Sequence, residues 1–279
     1  MLGRSLLFLG LLACVRIGDG DPPWPLHEAS WRTDRVWYDG LAEKCVYDGT
    51  RTIYGRERAF LASIYTDKER ADPRTTVKTD DPGGVEVFKH HASERVPTEN
   101  YDYDFSTACY VRSDDLSCFK LTAATQEDCG ASIKEVWRTG SAYSFFESVY
   151  FPGGGRREGR LDGAAVFEDA LPLILRDFPS GERATFGLSV IPSQKDIHAV
   201  PFEPVPMNVR AGPRETLDLP CGRIEAFRVD LVAAGEERAR FWFAAEEGAP
   251  WLHALLRYEG PNGVTYRLRS IERTAYWEH

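Results

Sequence analysis

Polar and apolar residues alternate one by one along much of this chain, in short runs separated by turn-forming residues. The clearest run is 101–111. Tyr101, Tyr103, Phe105, Thr107, Cys109 and Val111 fall on one side, and Asp102, Asp104, Ser106, Ala108 and Tyr110 on the other. A period of two is that of a β-strand, whose successive side chains point to opposite faces. The run therefore predicts a strand with an aromatic inner face and a wetter outer face. Val264, Tyr266 and Leu268 alternate in the same way with Thr265, Arg267 and Arg269. The turn sequence Pro261-Asn262-Gly263 and the segment 252–259 precede them, which predicts a C-terminal hairpin. Further strands are expected at 42–47, 58–66, 85–91, 116–123, 132–138, 142–151, 185–191, 223–232 and 239–243. The short connections suit antiparallel neighbours rather than βαβ units.

One helix is expected. Asp169 can cap it, Pro172 fits its first turn, and Leu171, Leu173, Ile174 and Leu175 supply its apolar stretch, which ends near Phe178-Pro179. It would pack on the sheet edge or cover the mouth of the sheet. Pro192, Pro201, Pro204 and Pro206 mark an edge or a joint, because proline cannot donate to a ladder. The pattern thus predicts a mainly β fold: one large antiparallel sheet, curved or partly closed, barrel-like or arranged as two packed sheets, with one short helix. Residues 31–195 form its main antiparallel region, and 196–279 a C-terminal β region continuous with it.

The first residues break this pattern. Arg4 followed by the apolar run Leu6 to Leu12 has the form of an export signal, too short to span a bilayer as a mature helix. Leu11-Leu12-Ala13-Cys14 resembles the bacterial lipobox, which would make 1–13 a signal peptide, Cys14 the lipidated new N-terminus and 14–30 a tether. Ordinary secretion, with cleavage between Gly18 and Asp21, is the alternative. The expected address is the periplasm or the outer membrane, with the membrane as a partner through the lipid. Lys plus Arg number 34 against 43 Asp plus Glu, a net charge of −9. That balance disfavours nucleic acid, which needs a basic stripe.

Export permits disulfides. Cys109 and Cys118 lie almost symmetrically about the turn cluster Ser113-Asp114-Asp115, which on a hairpin would set them opposite each other as a disulfide pair. Two buried thiols are the alternative. Motifs for chemistry are scarce. There is no GxSxG elbow, and Gly153-Gly154-Gly155-Arg156-Arg157 lacks the Gly-Lys-Ser/Thr of a phosphate loop and reads as a hairpin loop with exposed arginines. His90 and His91 would face opposite sides of a strand and cannot easily grip one metal. No cofactor and no metal site is expected. Gln126-Glu127-Asp128-Cys129-Gly130 stands out as a loop at a strand end that could present Glu127 and Cys129, or simply a tight turn closed by Gly130. Arg51 and Arg58 can pair with carboxylates across strands, contacts that contribute little at a surface.

Several stretches in order, Trp37 to Glu43, Tyr54-Gly55-Arg56, Thr76-Val77-Lys78, Tyr101-Asp102-Tyr103, Gln126 to Gly130, Phe145-Phe146-Glu147 and Ile191-Pro192-Ser193, resemble a family of uncharacterised exported bacterial proteins. Members often carry the label "septum formation inhibitor Maf". Leu219-Pro220-Cys221-Gly222 and Phe241-Trp242-Phe243 are similar to exported β-rich domains of unknown function. The resemblance implies export and a β fold, and no activity. Three functions compete. The leading one is non-enzymatic binding of an apolar ligand or an envelope partner on a curved sheet, motivated by the aromatic stripe from Tyr101 to Phe105. An adaptor lipoprotein comes next, and an envelope hydrolase using the Glu127–Cys129 loop last.

Overall fold

The computed structural model describes residues 30–161, 165–178, 185–246 and 248–277. Cys14, the signal segment and nearly all of the tether lie outside them. Among the described residues, fifteen strands hydrogen-bond into a single sheet. The first eight form one meander: β1 (Ala42–Ile53), β2 (Arg56–Ala71), β3 (Val85–Pro97), β4 (Asp102–Arg112), β5 (Cys118–Glu127), β6 (Gly130–Thr139), β7 (Ala142–Val149) and β8 (Gly155–Leu161). The rest form a second: β9 (Val166–Phe167), β10 (Thr185–Ile191), β11 (Val205–Leu219), β12 (Gly222–Ala233), β13 (Glu236–Ala244), β14 (Leu255–Glu259) and β15 (Thr265–Thr274). Antiparallel pairing of β1 with β15 welds the two meanders, so β8 and β9, consecutive in the chain, occupy opposite edges. Every pairing is antiparallel except β9 with β10, which makes the sheet mixed.

The sheet curls without closing. Tyr143 of β7 meets Phe167 of β9 with ring centroids 5.5 Å apart, yet β9 pairs only with β10. Phe145 of β7 stacks at 4.4 Å on Phe202, which follows β10. The two edges therefore approach each other through side chains with no ladder between them. Alternation drives this. On β4, Tyr103, Phe105, Thr107, Cys109 and Val111 are buried while the residues between them are partly or fully exposed. On β3 the inward set is Phe88, His90, Ala92, Glu94 and Val96. Gly49, inward on β1, carries no side chain because the ring of its cross-strand partner Phe60 occupies the space; a Cβ there would lie 2.6 Å from that ring.

The expected helix lies inside the roll rather than on its edge. It is one α-turn, α2 (Leu171–Ile174), between two 3-10 turns. Its apolar residues Leu171, Leu173 and Ile174 are all buried. Asp169 does not cap it; its carboxylate instead accepts from the Ser193 hydroxyl and the Gln194 N–H. A second helical turn, α1 (Ser30–Thr33), was not expected. Trp31 within it packs with Trp37 and Phe88 and closes one end of the roll, with Trp37 Nε1 donating to the Trp31 carbonyl at 2.6 Å.

Three strands escaped the alternation: the two-residue β9, β8 and β11. β8 is the Arg-rich segment read as a loop; it is an edge strand paired only with β7, and edge strands tolerate charge. β11 contains Pro206 at its start and Pro213 at a register shift between Ala211 and Arg214, where no ladder donor is required. The Cys109–Cys118 hairpin also departs from expectation. A shift between Tyr110 and Val111 sets Cys109 opposite Leu121 and Cys118 opposite Val111, so the two buried cysteines are diagonal rather than facing, and both are free thiols. Burial pushes both thiols up.

Candidate functional site: a cavity inside the rolled sheet

The roll is not filled to the top. Between its inner face, α2 and the segment 192–200 lies a cavity of about 490 Å³. Its apolar wall comes from Ile64, Ala92, Phe105, Phe241, Tyr258 and Tyr266. The end at Trp31 and Trp37 is sealed; the other end carries the turns β1–β2, β3–β4 and β14–β15.

The mouth is rimmed by tyrosines. Tyr54 and Gly55 form the two-residue β1–β2 turn with φ of 50° and 73°. A non-glycine residue there costs about 1 kcal/mol of strain. Tyr54 is held by its ring against Tyr103 and by the hydrogen bond its hydroxyl accepts from Tyr103 at 2.8 Å, although it is 80% exposed.

Below the rim sits a buried charged cluster. Glu94 is inaccessible to solvent. It contacts Arg51 at 3.0 Å and accepts from both Lys195 Nζ and the Tyr266 hydroxyl. Lys195 also donates to the Tyr266 oxygen at 2.7 Å, and the Arg51 guanidinium lies 4.1 Å from the centre of the Phe105 ring. Burial alone would raise the Glu94 carboxyl; the Lys195 and Arg51 charges, with the hydrogen bonds from Lys195 and Tyr266, outweigh it and hold it below its usual range. The cluster exists because inward positions 51 and 94 fall on neighbouring parts of the apolar face, and a buried carboxylate needs paired cations. Deeper down, burial raises the carboxyls of Glu168 and Asp169. Burial, then the Arg176, His91 and Lys195 charges, push His90 down to about 3, so it is neutral; its Nδ1 lies 2.9 Å from Thr66 Oγ1. His91 faces the other way and meets Ser106.

One wall is a strap without secondary structure, 192–200. Lys134 of β6, fully buried, reaches across the roll and donates to the carbonyls of Gln194, Asp196 and His198 at 3.0, 3.1 and 2.7 Å. All three ammonium donors are used. Together with Asp169, Glu168 and the Ser132 hydroxyl, which also bond the strap, it sets the strap's course and so the position of Lys195.

The residues singled out in the sequence fall at the rim, not in the cavity. Glu127 ends β5 and Asp128-Cys129 is a two-residue turn before Gly130. Cys129 is exposed and its thiol donates to the Tyr101 hydroxyl at 3.2 Å. That hydroxyl is drawn up to about 12, chiefly by the Cys129 contact. Glu127 is buried with Oε2 lacking a hydrogen-bond partner, close to Tyr103. A phenol is no base for a thiol nucleophile, and no histidine side chain bonds either residue among the described residues. Arg51, Glu94 and Lys195 carry the site. Of these only Arg51 drew notice in the sequence, as a surface pair; its partner proves to be Glu94, in the interior. Arg58 pairs with Glu99 at the surface. Among the described residues, no group of three or more His, Cys, Asp or Glu is placed to hold a metal ion, and no helix is long and apolar enough to cross a membrane.

The geometry defines a class: a partly closed β-roll around a cavity. No protein-family model matches the chain, and no curated protein is similar to it. Among solved structures it is similar to a β-barrel-like protein of the domain of unknown function DUF1849 from Brucella abortus, at 9% sequence identity and a TM-score of 0.52, over 84% of this chain and 98% of that one. At that identity the likeness establishes the fold alone. It lends nothing to the septum-formation label.

Proposed function

We propose that this chain is an exported, lipid-anchored envelope protein that binds an apolar ligand, without catalysis, inside its rolled sheet. The observation that carries the binding reading is the cavity of about 490 Å³ walled by Phe105, Phe241, Tyr258 and Tyr266, open at a tyrosine rim and sealed at the opposite end by tryptophans. Its volume lies within the range of small-molecule sites, and such sites are mostly apolar with a few fixed polar groups. Export and lipidation rest on Arg4, the apolar run Leu6 to Leu12 and Cys14. The hydrolase alternative gains no supporting observation at Glu127 and Cys129.

A neutral fluorescent probe, N-phenyl-1-naphthylamine, tests the binding. It should bind with one site per chain. Ala92→Phe fills the cavity from its wall and should weaken binding at least tenfold without lowering the melting temperature. Unchanged binding by that variant would place the ligand elsewhere. For the anchor, an alkyne-bearing palmitate fed to the producing bacterium should label the wild type and not Cys14→Ser. Labelling of both would remove the lipid from Cys14.

A further inference from the structure

We infer that the ligand carries an anionic end, a carboxylate or a similar single negative charge, which binds against Arg51 and Lys195 with its apolar body between Phe105 and Phe241. This rests on the cavity being the ligand site. Two cations share a single carboxylate there, in the wall of an aromatic cavity. Asp169 and Asp196 also line the cavity. Asp169 accepts from the Ser193 hydroxyl and the Gln194 N–H and feels the Lys195 charge, Asp196 accepts from the His198 N–H, and neither makes a direct ion pair with Arg51 or Lys195 among the described residues. Glu168 is paired with Arg238 at 3.6 Å on another part of the wall. His90 is neutral and supplies no charge in either direction.

The donor count points the same way. Lys195 divides its ammonium between Glu94 and Tyr266, and Arg51 meets Glu94 as an ion pair without a hydrogen bond, leaving its N–H groups unclaimed among the described residues, with Nε buried and unpartnered. Both side chains line the cavity and are not sealed off from it: each is a little over one-tenth exposed. A planar guanidinium stacked on Phe105 is held in orientation before a ligand arrives, which reduces the ordering cost of binding. A ligand carboxylate would complete an alternating row, Glu94, the two cations and the ligand, and use the unclaimed donors. A cationic ligand would be repelled by the two cations, and a neutral one would leave those donors unclaimed.

The test compares three amphiphiles of one chain length, dodecanoate, dodecanol and dodecyltrimethylammonium. Each is titrated calorimetrically into the purified full chain at pH 7.5, below micelle-forming concentrations. Dodecanoate should bind about tenfold or more tightly than the other two, the yield of a charge-assisted hydrogen bond to a desolvated cation. Raising the salt should weaken it alone. Arg51→Gln should remove the preference while leaving dodecanol binding within about twofold. Arg51→Lys, which keeps the charge, should retain part of it. Equal binding of all three by the wild type overturns the anionic end and leaves the cavity as an apolar site. Preference for the ammonium compound overturns it outright. If no amphiphile binds, and N-phenyl-1-naphthylamine does not either, the cavity reading itself fails and the inference with it. The wild-type series decides the matter whether or not either variant folds.

Discussion

Two buried ion clusters join distant strands of this protein, and they differ in one respect. At the sealed end Arg176, just after α2, makes two hydrogen bonds to Glu43 of β1, at 3.0 and 2.7 Å, with both side chains 1% exposed. At the open end Glu94 is held by Arg51 and Lys195, which face the cavity. The sealed pair is balanced, one charge against one, and bidentate. The open cluster has two cations to one anion and an aromatic void beside it. A fully buried charge needs every partner in place, as this matched pair supplies them; a wall facing a cavity can hold donors that something from outside completes. The first fastens the α2 segment inside the roll. The second has the composition of a receptor.

The largest expected effect follows from breaking the matched pair. Arg176→Ala strands Glu43 without water or cation and should cost about 3–5 kcal/mol in urea denaturation. The double change Glu43→Leu with Arg176→Met should recover most of that loss, since an apolar pair of similar size often equals a buried ion pair. No recovery would mean that the pair does more than fasten.

Lys134→Met comes next, at about 2–3 kcal/mol, because the carbonyls of Gln194 and His198 lose this donor and that of Asp196 keeps only the Ser132 hydroxyl. The loss should appear in hydrogen exchange as faster exchange around 192–200, with slow exchange kept in β1 to β4. Uniformly faster exchange throughout the chain would contradict a local role.

A pH titration sharpens the contrast further. The native state keeps His90 neutral down to about pH 3, whereas the unfolded chain takes up that proton near 6.5. Stability conferred by neutral His90 is therefore intact above 6.5 and lost as the pH falls toward 3. The fall should reach about 2 kcal/mol at pH 5. In His90→Asn this limb should flatten between pH 7 and 5; an unchanged slope would assign the acid sensitivity to another group. Glu94→Gln should cost less, about 1–2 kcal/mol, since the two cations it releases can be reached by water in the cavity. A loss as large as that of Arg176→Ala would erase the distinction between the two clusters. Smallest of all, Arg95→Ala removes a surface pair with Asp102 and should stay within about 0.5 kcal/mol.

The alternation of side chains made most of the sheet readable, because burial on one face imposes it and a pattern of period two has no other cause. Thr185 to Ile191 matches its strand, and the inward set of β4 is the predicted one. Readability failed where burial does not choose the residue. β8, at an edge, is free to be Arg-rich, and β11 carries prolines at its start and at a bulge. The site was harder still. Its signal is a charge on the inward face of an apolar strand: Glu94, in phase with Phe88, His90 and Ala92, and Arg51, in phase with Cys45 and Tyr47. The strands were expected to stop at 91 and 47, short of both. Lys195 lies on a strap with no period, so nothing local in the sequence marks it. Lys134 helps set its place from across the roll. The Glu127–Cys129 loop stood out because turn residues cluster there, and the structure gives it a turn.

A crystal structure of the full chain with dodecanoate puts the central claim to the most direct trial. The account predicts density inside the roll between Phe105 and Phe241, with the carboxylate about 3 Å from the nitrogens of Arg51 and Lys195. An interior filled by its own side chains, or density only on the outer face of the sheet, would contradict it.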